Sequence, residues 1–156
     1  MRLCRLKRIQ NLPVSQEKAW QFFSNPINLP AITPPWLSFR LTQTVPSRIH
    51  AGMLISYRLK ALPGLTVTWI SEIAHVHEPD YFIDEQRFGP YKFWQHQHVF
   101  KAVGTGTQVR DIIHYAIGYG ILGRLVQRFI VSPRLDDIFD YRHEKLKQMF
   151  RESPVR

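Results

Sequence analysis

Two histidines separated by one residue, His96 and His98, sit in the run Trp94-Gln95-His96-Gln97-His98-Val99-Phe100, with Asp84 upstream and Asp111 downstream. Histidine takes up or releases a proton near neutral pH, and a carboxylate beside it fixes its tautomer and steadies its charge. On a strand, side chains two apart point the same way, so the two imidazoles share a face. Three kinds of chemistry fit such a group. It could be a hydrogen-bonded buried network that sets register. It could be a polar anchor that orients an otherwise apolar ligand. It could also be a catalytic pair, or a metal site made by His96, His98 and a carboxylate, although zinc sites generally show a further close ligand. We adopt the anchor, with no catalytic residue, no metal and no cofactor assigned.

The elements that position these residues follow from alternation and turn chemistry. Leu3 to Leu12 reads as a strand ended by Pro13, and Ser15 is a good cap for a short helix over Gln16 to Ser24. Asn25 to Pro30 allows one more helical turn before Thr33-Pro34-Pro35 forces an extended break. Six further runs read as strands: Trp36 to Thr44, Gly52 to Ala61, Leu65 to His77, Tyr81 to Phe88, Lys92 to Ala102 and Thr107 to Ile117. Short turns such as Pro63-Gly64, Gly89-Pro90 and Gly104-Thr105-Gly106 separate them, and connections this short join antiparallel neighbours. Beyond Gly118, apolar residues at Ile121, Leu122, Leu125, Val126, Phe129 and Ile130 recur at helical spacing. Ser132-Pro133 breaks this stripe, which resumes through Leu135, Ile138, Phe139, Leu146, Met149 and Phe150.

Parity then sorts the strand residues. Glu85, Arg87, Gln95, Gln97 and Arg110 suit a solvated face, which sends Asp84, Gln86, Phe88, Trp94, His96, His98, Asp111 and Tyr115 inward. Trp36, Phe39, Tyr57, Trp69 and Ile73 are expected to line the same space. Burying two histidines and two aspartates among aromatics costs several kcal/mol, on the order of 2–7 per unpaired polar group, so at least one His–Asp pair is expected within hydrogen-bonding reach.

Other function classes drop out. There is no serine nucleophile elbow, phosphate loop or dinucleotide glycine fingerprint. A formal charge of +9 favours anionic partners, but the basic residues are dispersed and carry no nucleic-acid-binding signature. Nucleic acid is therefore not expected as a partner, and a weak attraction to anionic membrane surfaces is. Cys4 stands alone and cannot form an internal disulfide, no apolar run can cross a bilayer, and charges break the N-terminal apolar runs. The expectation is a cytoplasmic protein whose residues 1–156 form a single domain.

The order strand, two short helices, six strands, long helix resembles the START/SRPBCC superfamily. Local wording adds to the likeness: Thr33-Pro34-Pro35-Trp36-Leu37, Phe82-Ile83-Asp84-Glu85-Gln86, and Gly89-Pro90-Tyr91 leading into the histidine run. These stretches are similar to a functionally unassigned bacterial branch of that superfamily. The resemblance implies an α+β helix-grip fold, with a curved antiparallel sheet of about seven strands wrapped around the long C-terminal helix. It also implies an internal cavity for a hydrophobic or amphipathic small molecule such as a lipid, quinone or polyketide-like compound, bound or carried. A cyclase or dehydratase using a His–Asp pair, and an interaction module acting through its basic surface, are the alternatives.

Overall fold

A computed structural model describes residues 2–118 and 120–151. Strand β1 (Cys4–Leu12) leads to helix α1 (Gln16–Phe23), where the Ser15 hydroxyl accepts from the Lys18 amide. Two 3-10 turns follow, Pro26–Ile32 and Pro35–Leu37, and then β2 (Arg40–Leu41), β3 (Leu54–Leu62), β4 (Leu65–His77), β5 (Tyr81–Phe88), β6 (Phe93–Val103) and β7 (Gly106–Ala116). The remainder is one continuous helical stretch: α2 (Gly120–Val126), a π turn (Gln127–Val131) and α3 (Ser132–Arg151).

All seven strands form one antiparallel sheet in the order β1-β7-β6-β5-β4-β3-β2. Register shifts interrupt the β3–β4 and β4–β5 ladders. Each extra residue sharpens the local twist and helps the sheet curve. Gly106 opens β7 because a Cβ there would come within 2.5 Å of the Leu12 carbonyl oxygen. Helix α1 closes one end of the curve, with Trp20 set edge-on against Phe82 and Phe100. Leu146 and Phe150 of α3 join the same core, while Leu135 and Phe139 pack with Ile113 and Tyr115 into a second one. No described helix is long and apolar enough to cross a membrane.

Two expectations change. Trp36 to Thr44 is not a strand: Pro34 and Pro35 start a 3-10 turn, and only Arg40 and Leu41 pair with β3. Ser132-Pro133 does not break the C-terminal helix either. Proline lacks an amide hydrogen and crowds the carbonyl four residues back, and the π turn just before it absorbs that misfit, with the Ser132 N–H reaching Gln127 O. The extra residue in that turn rotates the preceding helix by about 100°. The stripe ahead of Pro133 therefore falls out of phase with the stripe behind it. Val126 and Ile130 line the cavity, Ile130 while still 40% exposed, whereas Ile121, Leu125 and Phe129 face solvent.

Candidate functional site

Between the concave face of the sheet and the helix lies a cavity of about 510 Å³. Its walls carry Phe39, Tyr57, Trp69, Ile73, Asp84, Trp94, His96 and His98 from the sheet side. The helix contributes Leu122, Val126, Ile130, Leu135, Ile138 and Phe139, together with Arg134 and Arg142. Aromatic contacts organise one wall, where Tyr57 stacks on Trp69 and Trp94 meets Trp69 edge-on.

The polar residues gather in one place. Register sets Asp84 opposite His96 and His98 opposite Asp111. The short bonds run diagonally: His96 Nε2 donates to Asp111 Oδ1 at 2.8 Å, and His98 Nε2 donates to Asp84 Oδ2 at 2.8 Å. The opposed contacts are longer, 3.7 Å from His96 Nδ1 to Asp84 and 3.3 Å from His98 Nδ1 to Asp111. Each carboxylate thus touches both rings, whose centroids lie 3.7 Å apart. Both histidines are buried, at 6% and 8% exposure.

Electrostatics follow from this box. Burial raises both aspartates, but their hydrogen bonds to the histidines outweigh it and hold the carboxyls below the usual range. Burial alone would lower His98, yet its bonds to Asp111 and Asp84 prevail and its pKa rises. His96 goes the other way: burial, then the adjacent His98 charge, lower it despite Asp111. A charge on one ring disfavours a charge on the other 3.7 Å away, so the pair favours one proton over two. Arg142 enters the same region from α3. Burial lowers its pKa while Asp111 and Asp84 pull it up, and its Nε has no hydrogen-bond partner. Burial and the Asp84 charge keep Tyr57 neutral, and its hydroxyl shares a 3.2 Å hydrogen bond with Ser71.

These shifts give a pH profile of stability. His98, raised in the fold, contributes fully below its unfolded pKa of about 6.5 and loses that contribution as pH rises through its folded value. His96, lowered in the fold, loses stability as pH falls below about 6.5 toward its folded value. The aspartates contribute fully above about pH 4 and lose stability below it. Urea unfolding across the pH range should show a maximum near pH 6.5, shallow losses on both sides and a steep loss below about pH 4. Stability that kept rising above pH 7 would mean that His98 is neutral in the fold.

Asp84, His96 and His98 each offer a ligand atom within 4.8 Å of one another. The two rings are tilted by 34° with centroids 3.7 Å apart. Both Nε2 atoms already bond carboxylates, so an ion bound through them would have to displace those hydrogen bonds.

Five residues expected on the cavity wall stand elsewhere. Trp36 lies in a 3-10 turn, 40% exposed, with the Arg134 guanidinium 4.2 Å from its ring centre. Phe88 is 61% exposed. A bulge pairs Ser71 with Gln86 and the next residue, Ile70, with Phe88, which moves Phe88 to the outer face. Gln86 points inward, but its amide is used by the Tyr91 backbone and so holds the Gly89-Pro90 turn. Tyr115 lies under the helix, where its hydroxyl meets Ser132 Oγ at 3.0 Å. Asp111 faces a small separate void of about 60 Å³, behind His96. Parity gave no view of Arg134 and Arg142. Helical period did offer a signal, since Arg142 follows Leu135, Ile138 and Phe139 at spacings of seven, four and three.

No family model matches the chain, and no curated protein matches it. Solved structures do. Protein Ms6760 from Mycobacterium smegmatis superposes with a TM-score of 0.66 at 15% identity, over 93% of this chain and 89% of that one. TTHA0849 from Thermus thermophilus gives 0.65 at 17%, over 94% and 99%. Major latex-like protein 151 from Panax ginseng gives 0.65 at 14%, over 95% and 97%. At such identities the likeness is one of architecture: this chain has the helix-grip fold.

Proposed function

We propose that the chain binds a hydrophobic or amphipathic small molecule in the cavity between sheet and helix, and carries it. The observation that supports this reading is the cavity's construction. It has about 510 Å³ of space with apolar walls and one polar corner, where Asp84, His98 and Arg142 meet. Ligand pockets of roughly 300–1,000 Å³ combine these features, with apolar bulk for affinity and a few polar groups for orientation. Arg134 and Arg142 both line the cavity with a buried, unpartnered Nε, and Arg142, which shares its corner with Asp84, is our choice of donor to a ligand oxygen. The anchor is then chiefly arginine, with the His–Asp box as its counter-charge. A cyclase or dehydratase would need an imidazole free to take a substrate proton. Both Nε2 atoms bond carboxylates, while His98 Nδ1 has no hydrogen-bond partner, so His98 is the ring such an enzyme would use and binding remains the first reading on the cavity's construction.

An environment-sensitive naphthalene sulfonate and a fluorescent fatty acid should each bind saturably, near one per chain. Ile138→Trp places a large ring in the cavity from the helix side and should weaken uptake at least tenfold while leaving the melting midpoint intact. Trp94→Ala removes wall area and should weaken uptake about tenfold or more, since a buried aromatic contributes on the order of 1.5–3 kcal/mol. Failure of the folded wild-type protein to bind either probe saturably, or equal uptake by Ile138→Trp, would overturn the reading. Native mass spectrometry of freshly purified protein identifies any co-purifying ligand.

A further inference from the structure

We infer that the outer face of α2 and the π turn docks the cavity mouth onto a lipid surface bearing anionic headgroups. Over Gly120 to Val131 the helix is apolar on both sides. Leu122, Val126 and Ile130 line the cavity mouth, with Leu122 (67% exposed) and Ile130 (40%) reaching solvent as well, and Ile121 (71%), Leu125 (50%) and Phe129 (67%) stand in solvent. Burying an apolar stripe is what stabilises a surface helix, and one that is apolar all round normally has a second apolar neighbour. Among the described residues this face has none. Across the mouth, Leu65 at the tip of the β3–β4 hairpin also lines the cavity and is half exposed. The opening is therefore rimmed by exposed hydrocarbon, the kind of patch that marks an interaction surface.

Charge selects the partner. The polar residues of the segment are Arg124, Gln127 and Arg128, and no Asp or Glu occurs from Ile112 to Leu135. The Arg128 guanidinium lies 5.4 Å from the Phe129 ring centre, so a basic group and a bulky apolar one present themselves together. A second copy of this chain fits poorly. A two-fold contact across the patch would set these arginines against their own counterparts with no carboxylate to pair them. An anionic bilayer supplies both halves at once, phosphates for the arginines and acyl chain for Leu125 and Phe129, which is how interfacial helices bind. The arrangement would let an apolar molecule pass between bilayer and cavity without crossing water, but docking itself does not depend on the cavity being filled.

Flotation of the intact protein with vesicles tests this. Phosphatidylcholine vesicles containing phosphatidylglycerol should retain the protein, pure phosphatidylcholine much less, and added salt should release it. Leu125→Ser and Phe129→Ser should each lower the partition coefficient about tenfold or more. Arg124→Gln and Arg128→Gln should each lower it about fivefold, on the anionic vesicles only. All four positions are exposed, so circular dichroism and uptake of the naphthalene sulfonate should stay as in the wild type. Wild-type protein that folds and takes up probe but ignores anionic vesicles would overturn the docking proposal alone. So would partitioning undiminished by Phe129→Ser, or a concentration-dependent dimer that this substitution abolishes, which would make the face a contact between copies. Protein that docks but takes up no probe would leave docking standing and defeat the cavity reading.

Discussion

Asp111→Asn is expected to lower the melting midpoint by roughly 6–20 °C, from the about 3–5 kcal/mol lost when one partner of a buried ion pair is removed and the about 2–4 °C per kcal/mol usual at this size. The side chain is buried and serves both imidazoles, at 2.8 Å to His96 and 3.3 Å to His98. An asparagine keeps the shape and one acceptor oxygen, so little volume is lost. What disappears is the negative charge that lets His98 keep a proton out of water. The defect should shrink as pH rises and His98 gives up that proton, because a neutral ring needs no counter-charge. Melting curves followed by far-ultraviolet circular dichroism at pH 6 and pH 9 measure both effects. A midpoint shifted by less than about 2 °C at pH 6 would mean that the box contributes little to the fold.

Phe139→Ala should cost a similar amount, about 3–5 kcal/mol, for a different reason. Its ring is buried against Ile113, Tyr115 and Leu135, and it lies 5.9 Å from the His96 ring and 4.8 Å from the Arg142 guanidinium. Truncation unseats α3 from the sheet and lets water reach the charged corner. Water there would solvate the very charges that Asp111→Asn leaves unpaired. The two substitutions should therefore be non-additive, with the double variant more stable than the sum predicts by about 0.5–3 kcal/mol. Urea unfolding of the four proteins in the cycle gives the coupling, and strict additivity would place Phe139 outside the electrostatics of the box.

Most of the fold was legible because each strand signals itself twice, by alternation and by the turn residues at its ends. Leu65 to His77 and Tyr81 to Phe88 occur as read. On β6 and β7 parity is unbroken, so His96, His98 and Asp111 fall together as alternation requires. Parity fails where one residue is added. The bulge before Phe88 and the π turn before Pro133 each change the phase of everything beyond them, and neither has a residue signature strong enough to read in a single chain. Trp36 was misplaced by a different force: two prolines fix φ and remove donors, which outweighs the strand preference of the residues that follow. Arg142 was hidden because a basic residue at an inward helical position looks, by composition alone, like one more solvated charge.

The pairing of β1 with β7 bears on how the chain reaches this shape. Cys4 lies opposite Tyr115 and Leu12 opposite Thr107, so about a hundred residues separate partners in the same ladder. On a ribosome β1 emerges first and stays without its neighbour until β7 has been made. A hairpin such as β3–β4 can close as soon as its own turn is out. Loop closure over such a span is slow, and the rest of the sheet has time to form before it. In that interval β7 exposes a bare hydrogen-bonding edge, and an edge of that kind invites pairing with another nascent chain. Pulse-labelling hydrogen exchange during refolding should find the amides of β4 to β6 protected early and those of β1 last. Crowded expression would then favour aggregates joined through β7, which a peptide copying Cys4 to Leu12 should suppress.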